Sequence, residues 1–168
     1  MAARLHKINM EKIVRKKIRL DKHDYGSIGA YFLTICVNKH KNILWNRNAD
    51  MTCCNDVFLP LSDYGIILNE AIKQITVHYP DVYVDKYVIM PNHFHLILII
   101  GASDIDCKYR NVSSIINQLK GTVTKKIGFS IWQKSYYDHI IRGKNDYNEI
   151  CSYIENNPSK WEEVHYSK

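Results

Sequence analysis

The sequence lacks the features of a membrane or secreted protein. Its longest apolar run covers only residues 96–100, whereas a membrane-spanning helix needs about 20 apolar residues. No apolar segment follows the basic N-terminus, as a signal peptide would require. The five cysteines form no CxxC pair and no zinc-ligand spacing, and their odd number argues against a secreted disulfide framework. We therefore expect a cytoplasmic protein with no membrane partner.

The chain also lacks internal repeats and low-complexity linkers. Its 168 residues, 46% hydrophobic and 24% charged, fall within the ~100–200 residues usual for one domain. We predict a basic N-terminal arm over residues 1–24 and a single domain over residues 25–168. The formal net charge of +6 and pI of about 9.0 favour a polyanionic partner. The arm is either a solvated tail or a contact for phosphates.

Hydrophobic periodicity and turn residues predict alternating strands and helices. The predicted strands cover residues 31–37, 82–90, 93–100 and 131–141, with another short strand within 54–59. The predicted helices cover residues 63–75, 112–127 and 146–157, the last ending before Pro158 because proline disfavours helical backbone. This order is that of a split βαβ, ferredoxin-like α+β domain. We expect an antiparallel sheet with helices on one face, plus a C-terminal helix that carries Tyr153.

Two histidines, His93 and His95, flank Phe94 in a predicted strand. Side chains at i and i+2 of a strand project from the same face, so the two imidazoles point together. Imidazole binds several divalent transition metals, and it can join magnesium when oxygen ligands complete the shell. The pair is therefore either half of a metal site or two histidines that hydrogen-bond within the sheet.

Tyr153 and Asn157 lie at i and i+4 in the last predicted helix. This spacing places a phenol and a carboxamide one turn apart on the same helix face. The carboxamide offers a neutral oxygen ligand to a hard cation. With twelve tyrosines in the chain, Tyr153 could instead be an ordinary packing residue.

Together the two patterns predict a mechanism. A phenolate can take over a phosphoryl group and so divide one difficult reaction into two easier steps. A divalent ion on His93 and His95 would stabilise the charge that develops on the phosphate. The energy kept in the phosphotyrosine bond would then allow rejoining to another strand without ATP. The hypothesis is a metal-dependent endonuclease and strand transferase.

Three ordered stretches carry a resemblance to a known family. Residues 87–96, YVIMPNHFHL, resemble the HUH motif (two histidines around a hydrophobic residue) of single-tyrosine transposases. Residues 132–142, WQKSYYDHIIR, and 153–158, YIENNP, are similar to blocks of the REP-associated branch of these transposases. The resemblance extends over residues 29–161, most of the chain.

The resemblance implies a ferredoxin-like HUH domain that cleaves hairpin-forming single-stranded DNA through a 5′-phosphotyrosine. By the matching motifs, His93 and His95 would bind a divalent metal, Mg²⁺ or Mn²⁺, and Tyr153 would be the catalytic nucleophile. Asn157 falls where many relatives carry a glutamine as the third ligand, and asparagine is shorter by one methylene. Tyr136, Tyr137 and Tyr147 are rival tyrosines, but none has a carboxamide at i+4. The role of His139, in the second block, stays open.

Four residues are further candidates for nucleic-acid binding. Lys120 and Lys125 lie on the polar face of a predicted helix, where they either contact phosphates or are simply solvated. Arg142 ends the second motif block. Trp132 either stacks on a base, an interaction worth about 1–3 kcal/mol, or packs in the core.

Two other readings remain open at this point. A non-catalytic ferredoxin-like module that binds single-stranded nucleic acid would use its tyrosines as stacking platforms and need no metal. A different metal enzyme would need a third ligand, for which Asp85 and Glu155 are the acids to test. The sequence does not fix the DNA target, the physiological metal, or whether the protein is a monomer or a homodimer.

Overall fold

The computed structural model describes residues 28–102 and 111–166. The strands are β1 (Gly29–Cys36), β2 (Thr52–Cys54), β3 (Val57–Leu59), β4 (Val82–Ile89), β5 (His93–Ile100) and β6 (Tyr137–Ile141). The helices are α1 (Asp63–Lys73), α2 (Ile75–His78), α3 (Val112–Ile127) and α4 (Gly143–Tyr166), with a 3-10 turn at Asn38–His40. The predicted basic arm over 1–24 lies outside the described residues.

Four strands form one antiparallel sheet in the order β4-β5-β1-β6. With α1 between β1 and β4 and α3 between β5 and β6, the chain has the predicted split βαβ arrangement. The short strands β2 and β3 pair separately. The α+β prediction is confirmed, and β5 occupies a central position between β4 and β1.

Local signals set the helix boundaries. The Ser62 hydroxyl accepts a hydrogen bond from the backbone N–H of Gly65 and caps α1. The Asn111 side chain caps α3 in the same way. At the other end of α3, Gly128 adopts a left-handed conformation (φ 94°), which glycine tolerates without strain.

The two faces of the sheet differ in what covers them. On the core face, Phe94 packs against Trp132, which hydrogen-bonds to a carbonyl of α3, and Tyr87 donates to Asn69 of α1. We call the opposite side the histidine face, because His93 and His95 project from it. Helix α4 covers this second face. None of the described helices has both the length and the apolarity of a bilayer-spanning segment.

Two predicted boundaries are wrong. Helix α4 does not stop at Pro158 but continues to Tyr166. The Pro158 ring is buried with Ile154, so packing against the sheet outweighs the lost backbone hydrogen bond. The last strand begins only at Tyr137, since the chain before it forms no more than an isolated bridge between Trp132 and Val37.

Candidate metal centre and nucleophile

The imidazoles of His93 and His95 converge on one point of the histidine face. Their Nε2 atoms are 3.0 Å apart, and the ring planes meet at 76°. His95 is 3% exposed and His93 is half-buried at the start of β5. The strand alternation predicted from the sequence therefore brings the two nitrogens together.

Each histidine is held at its other nitrogen by a polar side chain. The His93 Nδ1 lies 2.7 Å from Asn92 Oδ1, and the His95 Nδ1 lies 2.8 Å from the hydroxyl of Thr34, its cross-strand neighbour in β1. Burial, followed by the nearby His40, lowers the pKa of His93 to about 4. Burial, followed by His93, lowers the pKa of His95 to about 3. Both rings are thus neutral at pH 7 and have lone pairs to offer.

Tyr153 of α4 lies directly over His95. Its Oη is 3.5 Å from the His95 Nε2, and the residue is 45% exposed. Phe32 of β1 stacks on the His95 ring at 5.3 Å between centroids and meets the Tyr153 ring edge-on at 6.0 Å. The phenol is therefore both oriented by packing and open to a substrate from solvent.

The continuation of α4 past Pro158 brings two more side chains to the pair. Trp161 lies 6.1 Å from His93 between ring centroids. Asn157 lies one helical turn before Trp161 and one turn after Tyr153. It therefore lies between the turn that contacts His95 and the turn that contacts His93. The Asn157 Nδ2 is buried and has no hydrogen-bond partner among the described residues. An unsatisfied buried amide is costly, which points to a missing ligand at this position.

The residues present fit a divalent ion. In an octahedral shell with metal–ligand distances of about 2.1 Å, two adjacent donors lie about 3.0 Å apart, which is the separation of the two Nε2 atoms. A half-turn of the Asn157 amide exchanges its nitrogen for its oxygen and supplies a third, hard ligand. Among residues 28–102 and 111–162, no three His, Cys, Asp or Glu side chains cluster as a metal site. His93, His95 and Asn157 are therefore the residues that could hold a metal.

The two acids considered as alternative ligands are engaged elsewhere. Asp85, at a register shift in β4, accepts a hydrogen bond from Tyr147 Oη at 2.6 Å. Glu155 forms an ion pair with Lys86 at 2.5 Å. Neither arrangement supports a metal enzyme that uses one of these carboxylates as its third ligand.

The rival tyrosines differ from Tyr153 in position. Tyr136 is buried and hydrogen-bonds to Ser113. The hydrogen bond to Asp85, followed by one to Cys151 and by burial, raises the pKa of Tyr147 and so disfavours its phenolate. Tyr137, on β6, is 53% exposed but stands opposite Thr34 rather than beside the histidines. Tyr153 is the tyrosine in contact with His95.

Two of the residues predicted to bind nucleic acid, Trp132 and Lys120, make contacts inside the fold. Trp132 is 8% exposed, packs on Phe94 and donates from Nε1 to the Lys120 carbonyl. Its ring is inside the core, an arrangement that favours the packing alternative over base stacking. The Lys120 ammonium donates to the carbonyls of Gln133 and Ser135 at 2.9 and 3.4 Å. A phosphate contact by Lys120 stays a prediction.

The other two are on the surface. Lys125 is exposed near the end of α3, and Arg142 is exposed just before α4. The Arg142 backbone N–H donates to Asp146, whose carboxylate also lies 3.0 Å from the His139 Nε2. The backbone hydrogen bond and then His139 lower the pKa of Asp146. His139 therefore closes the β6–α4 corner, and phosphate contacts by Lys125 and Arg142 stay predictions.

Four residues of the site were missed from the sequence: Phe32, Thr34, Asn92 and Trp161. Asn92 stands next to His93 in the sequence, which was a usable signal. Thr34 and Phe32 reach His95 through pairing between strands 61 residues apart, for which the sequence gives no local signal. Trp161 was placed beyond the end of the predicted helix, so its position over His93 could not be anticipated.

Comparisons with known proteins identify similar sequences. No protein-family model matches the chain. An uncharacterized protein of Haemophilus influenzae is 33% identical over 170 residues, which cover 89% of this chain and 91% of the relative. A REP-associated tyrosine transposase of Escherichia coli is 32% identical over 78 residues, 46% of this chain and 44% of that protein. A second H. influenzae protein, provisionally named as a REP-associated tyrosine transposase, is 28% identical over 83% of this chain and 75% of its own length.

The chain is similar in fold to solved structures, one of which matches it over most of its length. It is a REP-associated tyrosine transposase bound to a REP hairpin, with a TM-score of 0.60 at 24% sequence identity. The superposition covers 84% of this chain and 74% of that one. The antiparallel sheet and helices described above are therefore shared with that protein.

Proposed function

Since the chain is a relative of the REP-associated tyrosine transposases, we propose that it is a metal-dependent endonuclease and strand transferase for hairpin-forming single-stranded DNA. The observation that carries the proposal is the contact between three groups. The His93 and His95 nitrogens lie 3.0 Å apart, and the Tyr153 hydroxyl lies 3.5 Å from the second of them. A tyrosine that served only to pack the fold would not be expected to lie half-exposed beside two converging imidazoles.

The proposal gives each residue a separate role. His93, His95 and Asn157 hold Mg²⁺ or Mn²⁺, and Tyr153 attacks the scissile phosphate. When bound, the divalent ion would withdraw charge from a non-bridging phosphate oxygen and so lower the barrier to attack. Phe32 keeps the Tyr153 ring at the correct edge of the site through its edge-on contact. Helix α4 supplies both the nucleophile and the amide ligand, so one rigid element sets their separation.

The chemical step replaces one phosphodiester bond with another, so the number of phosphodiester bonds does not change. The Tyr153 phenol gives its proton to solvent, and its oxygen forms a bond to phosphorus. The bond from phosphorus to the 3′ oxygen breaks, and that oxygen leaves as a hydroxyl after taking up a proton. The product is a 5′-phosphotyrosine and a free 3′ end. Attack on the phosphotyrosine by another 3′-hydroxyl reverses the sequence and joins two strands without an external energy source.

The test is a denaturing gel of the protein with labelled, hairpin-bearing single-stranded DNA that includes the sequence flanking the gene. Reactions contain Mn²⁺, Mg²⁺ or EDTA. We expect a slow-migrating covalent adduct that requires metal and disappears in Tyr153→Phe. Tyr137→Phe is the matched control, because Tyr137 is similarly exposed on the same sheet face but is not in contact with the histidines.

Each outcome of the gel experiment supports or contradicts one part of the proposal. An adduct that survives Tyr153→Phe and disappears in Tyr137→Phe would keep the chemistry but reassign the nucleophile. An adduct that forms equally in EDTA would contradict the metal role. Hairpin binding without any adduct, for both wild type and variants, would favour the non-catalytic binding module.

A further inference from the structure

We propose that the hydroxyl of Thr34 is a positioning group that reverses its hydrogen bond to His95 when a divalent ion binds. The inference rests on the proposed function, because it concerns how this chain prepares its histidines for the metal. It follows from the directions of four hydrogen bonds around the two rings. Thr34 itself touches neither substrate nor metal in this scheme.

The first step fixes the proton on His93. The Asn92 Nδ2 donates to the backbone carbonyl of His40 at 3.4 Å, and a carbonyl can only accept. The amide oxygen of Asn92 is therefore the atom that faces His93 Nδ1 at 2.7 Å. Because this oxygen also only accepts, the His93 proton must be on Nδ1. The Nε2 of His93 then carries a lone pair directed at His95.

The second step concerns the gap between the two Nε2 atoms. A lone pair on His93 at 3.0 Å from His95 Nε2 needs a proton or a cation between them. Without a metal, the proton must be on His95 Nε2, which then donates to His93. The Nδ1 of His95 is left as an acceptor, so the Thr34 hydroxyl must donate to it across the observed 2.8 Å.

With a metal on both Nε2 atoms, the requirement at Thr34 is the opposite. The Nε2 of His95 gives its proton to solvent, and Nδ1 takes one up, so the ring stays neutral and the net proton count is unchanged. The Nδ1–H then donates to the Thr34 oxygen. A hydroxyl is both donor and acceptor and turns at little cost, so Thr34 serves both states. No amide or carbonyl fixed by its own partners could do this without moving.

The substitution that isolates the role is Thr34→Val. Valine has nearly the shape of threonine and favours strands, so β1 should form as before. It leaves the His95 Nδ1–H buried and unsatisfied in the metal-bound state. Thr34→Ser keeps the hydroxyl and is the matched control, and Thr124→Val, on α3, controls for the chemical change at a distant, partly buried position.

The measurement is Mn²⁺ affinity, read as the loss of the free-ion signal in electron paramagnetic resonance, with no DNA present. We expect Thr34→Val to bind Mn²⁺ about 10–100-fold more weakly, as for other groups that orient metal-bound histidines. Thr34→Ser and Thr124→Val should stay close to wild type. Circular dichroism confirms that all variants fold. Wild-type affinity in Thr34→Val would overturn the inference while leaving the proposed function intact.

Nitrogen-15 spectra of the histidine side chains test the reversal directly, in EDTA and in Mg²⁺. We expect the His95 proton on Nε2 in EDTA and on Nδ1 in Mg²⁺, while the His93 proton stays on Nδ1 in both. A His95 proton on Nδ1 in both conditions would contradict the reversal. If wild-type protein binds neither Mn²⁺ nor Mg²⁺, the metal-dependent function itself fails, which is a different result from an unaffected Thr34→Val.

Discussion

The two faces of strand β5 are made by alternate residues of one short sequence, yet they have opposite chemistry. On the core face, Phe94 and Leu96 are fully buried and packed beneath α1 and α3. On the histidine face, His95 is enclosed almost as completely and His93 is half-buried, but their nitrogens converge beneath α4. Burial alone therefore does not distinguish a structural face from a chemical one. The distinction lies in whether the buried atoms are polar groups that could bind a ligand.

The difference is energetic as well as geometric. Burying an apolar ring removes surface from water and stabilises the fold by about 1.5–3 kcal/mol per side chain. Burying an imidazole costs free energy unless its nitrogens are bonded, and here burial lowers the pKa of both histidines. The histidine face is therefore expected to contribute less to stability than the core face, and it holds two neutral nitrogens in place. Variants on the two faces should separate stability from metal binding.

The largest expected effect is the difference between Phe94→Ala and His95→Ala in stability and in Mn²⁺ binding. Phe94→Ala should lower the free energy of unfolding by about 3–5 kcal/mol, because it leaves a cavity in the core. His95→Ala, its neighbour, should cost less than about 2 kcal/mol in EDTA, yet it should abolish Mn²⁺ binding. Urea unfolding and a Mn²⁺ titration check the pair.

The contrast between the faces fails in either of two cases. His95→Ala could destabilise the protein as much as Phe94→Ala does, which would make the histidine pair a structural element. Folded Phe94→Ala could lose Mn²⁺ affinity as completely as His95→Ala, which would show that the two faces are not independent. The Mn²⁺ titration is done without urea, because the folded fraction of Phe94→Ala is greatest there.

A smaller effect is expected for two lysines of α3, the helix on the core face. Lys120 donates to two carbonyls of the following loop, and burial lowers its pKa. Lys120→Met should therefore cost about 1–3 kcal/mol of stability. Lys125→Met, five residues further along α3 and exposed, should leave stability unchanged. If Lys125 contacts a phosphate, its loss should reduce the salt dependence of DNA binding by about one unit of slope.

The same two variants also test the assignment of Lys120. Stability is measured by urea unfolding, and DNA affinity is measured at several salt concentrations. If Lys120→Met keeps full stability but weakens DNA binding, its ammonium is a phosphate contact and the carbonyl hydrogen bonds contribute little. A stability loss with an unchanged salt dependence would establish that Lys120 serves the fold.

Much of the fold could be predicted because its signals are local. Ser62, Asn111 and Gly128 mark helix ends through their own hydrogen bonds and backbone preferences. The alternation around Phe94 placed both histidines on one face, since the strand period is two residues. Period and caps depend on neighbours in the sequence, so the sequence carries their signals.

The remaining features depend on contacts that are distant in sequence. Proline is a local helix breaker, but the buried ring of Pro158 is held by the sheet, and α4 continues. Trp132 belongs to an aromatic motif, and only its packing on Phe94 shows that it is a core residue. Thr34 meets His95 through strand register. Tertiary contacts override or add to local preference in each case, so no short segment of the sequence predicts these features.

The smallest expected effect concerns the ion pair between Lys86 and Glu155, at the edge of the histidine face. The hydrogen bond that Lys86 donates to Glu155 raises the pKa of Lys86, but both side chains are partly exposed, and such pairs contribute about 0–1 kcal/mol. Glu155→Gln should therefore change urea unfolding very little. It should leave Mn²⁺ affinity and adduct formation at wild-type levels, although Glu155 is only two residues from both Tyr153 and Asn157. A tenfold loss of Mn²⁺ affinity would instead make this carboxylate a ligand, and the histidine face would then hold its metal through Glu155 rather than through the amide of Asn157.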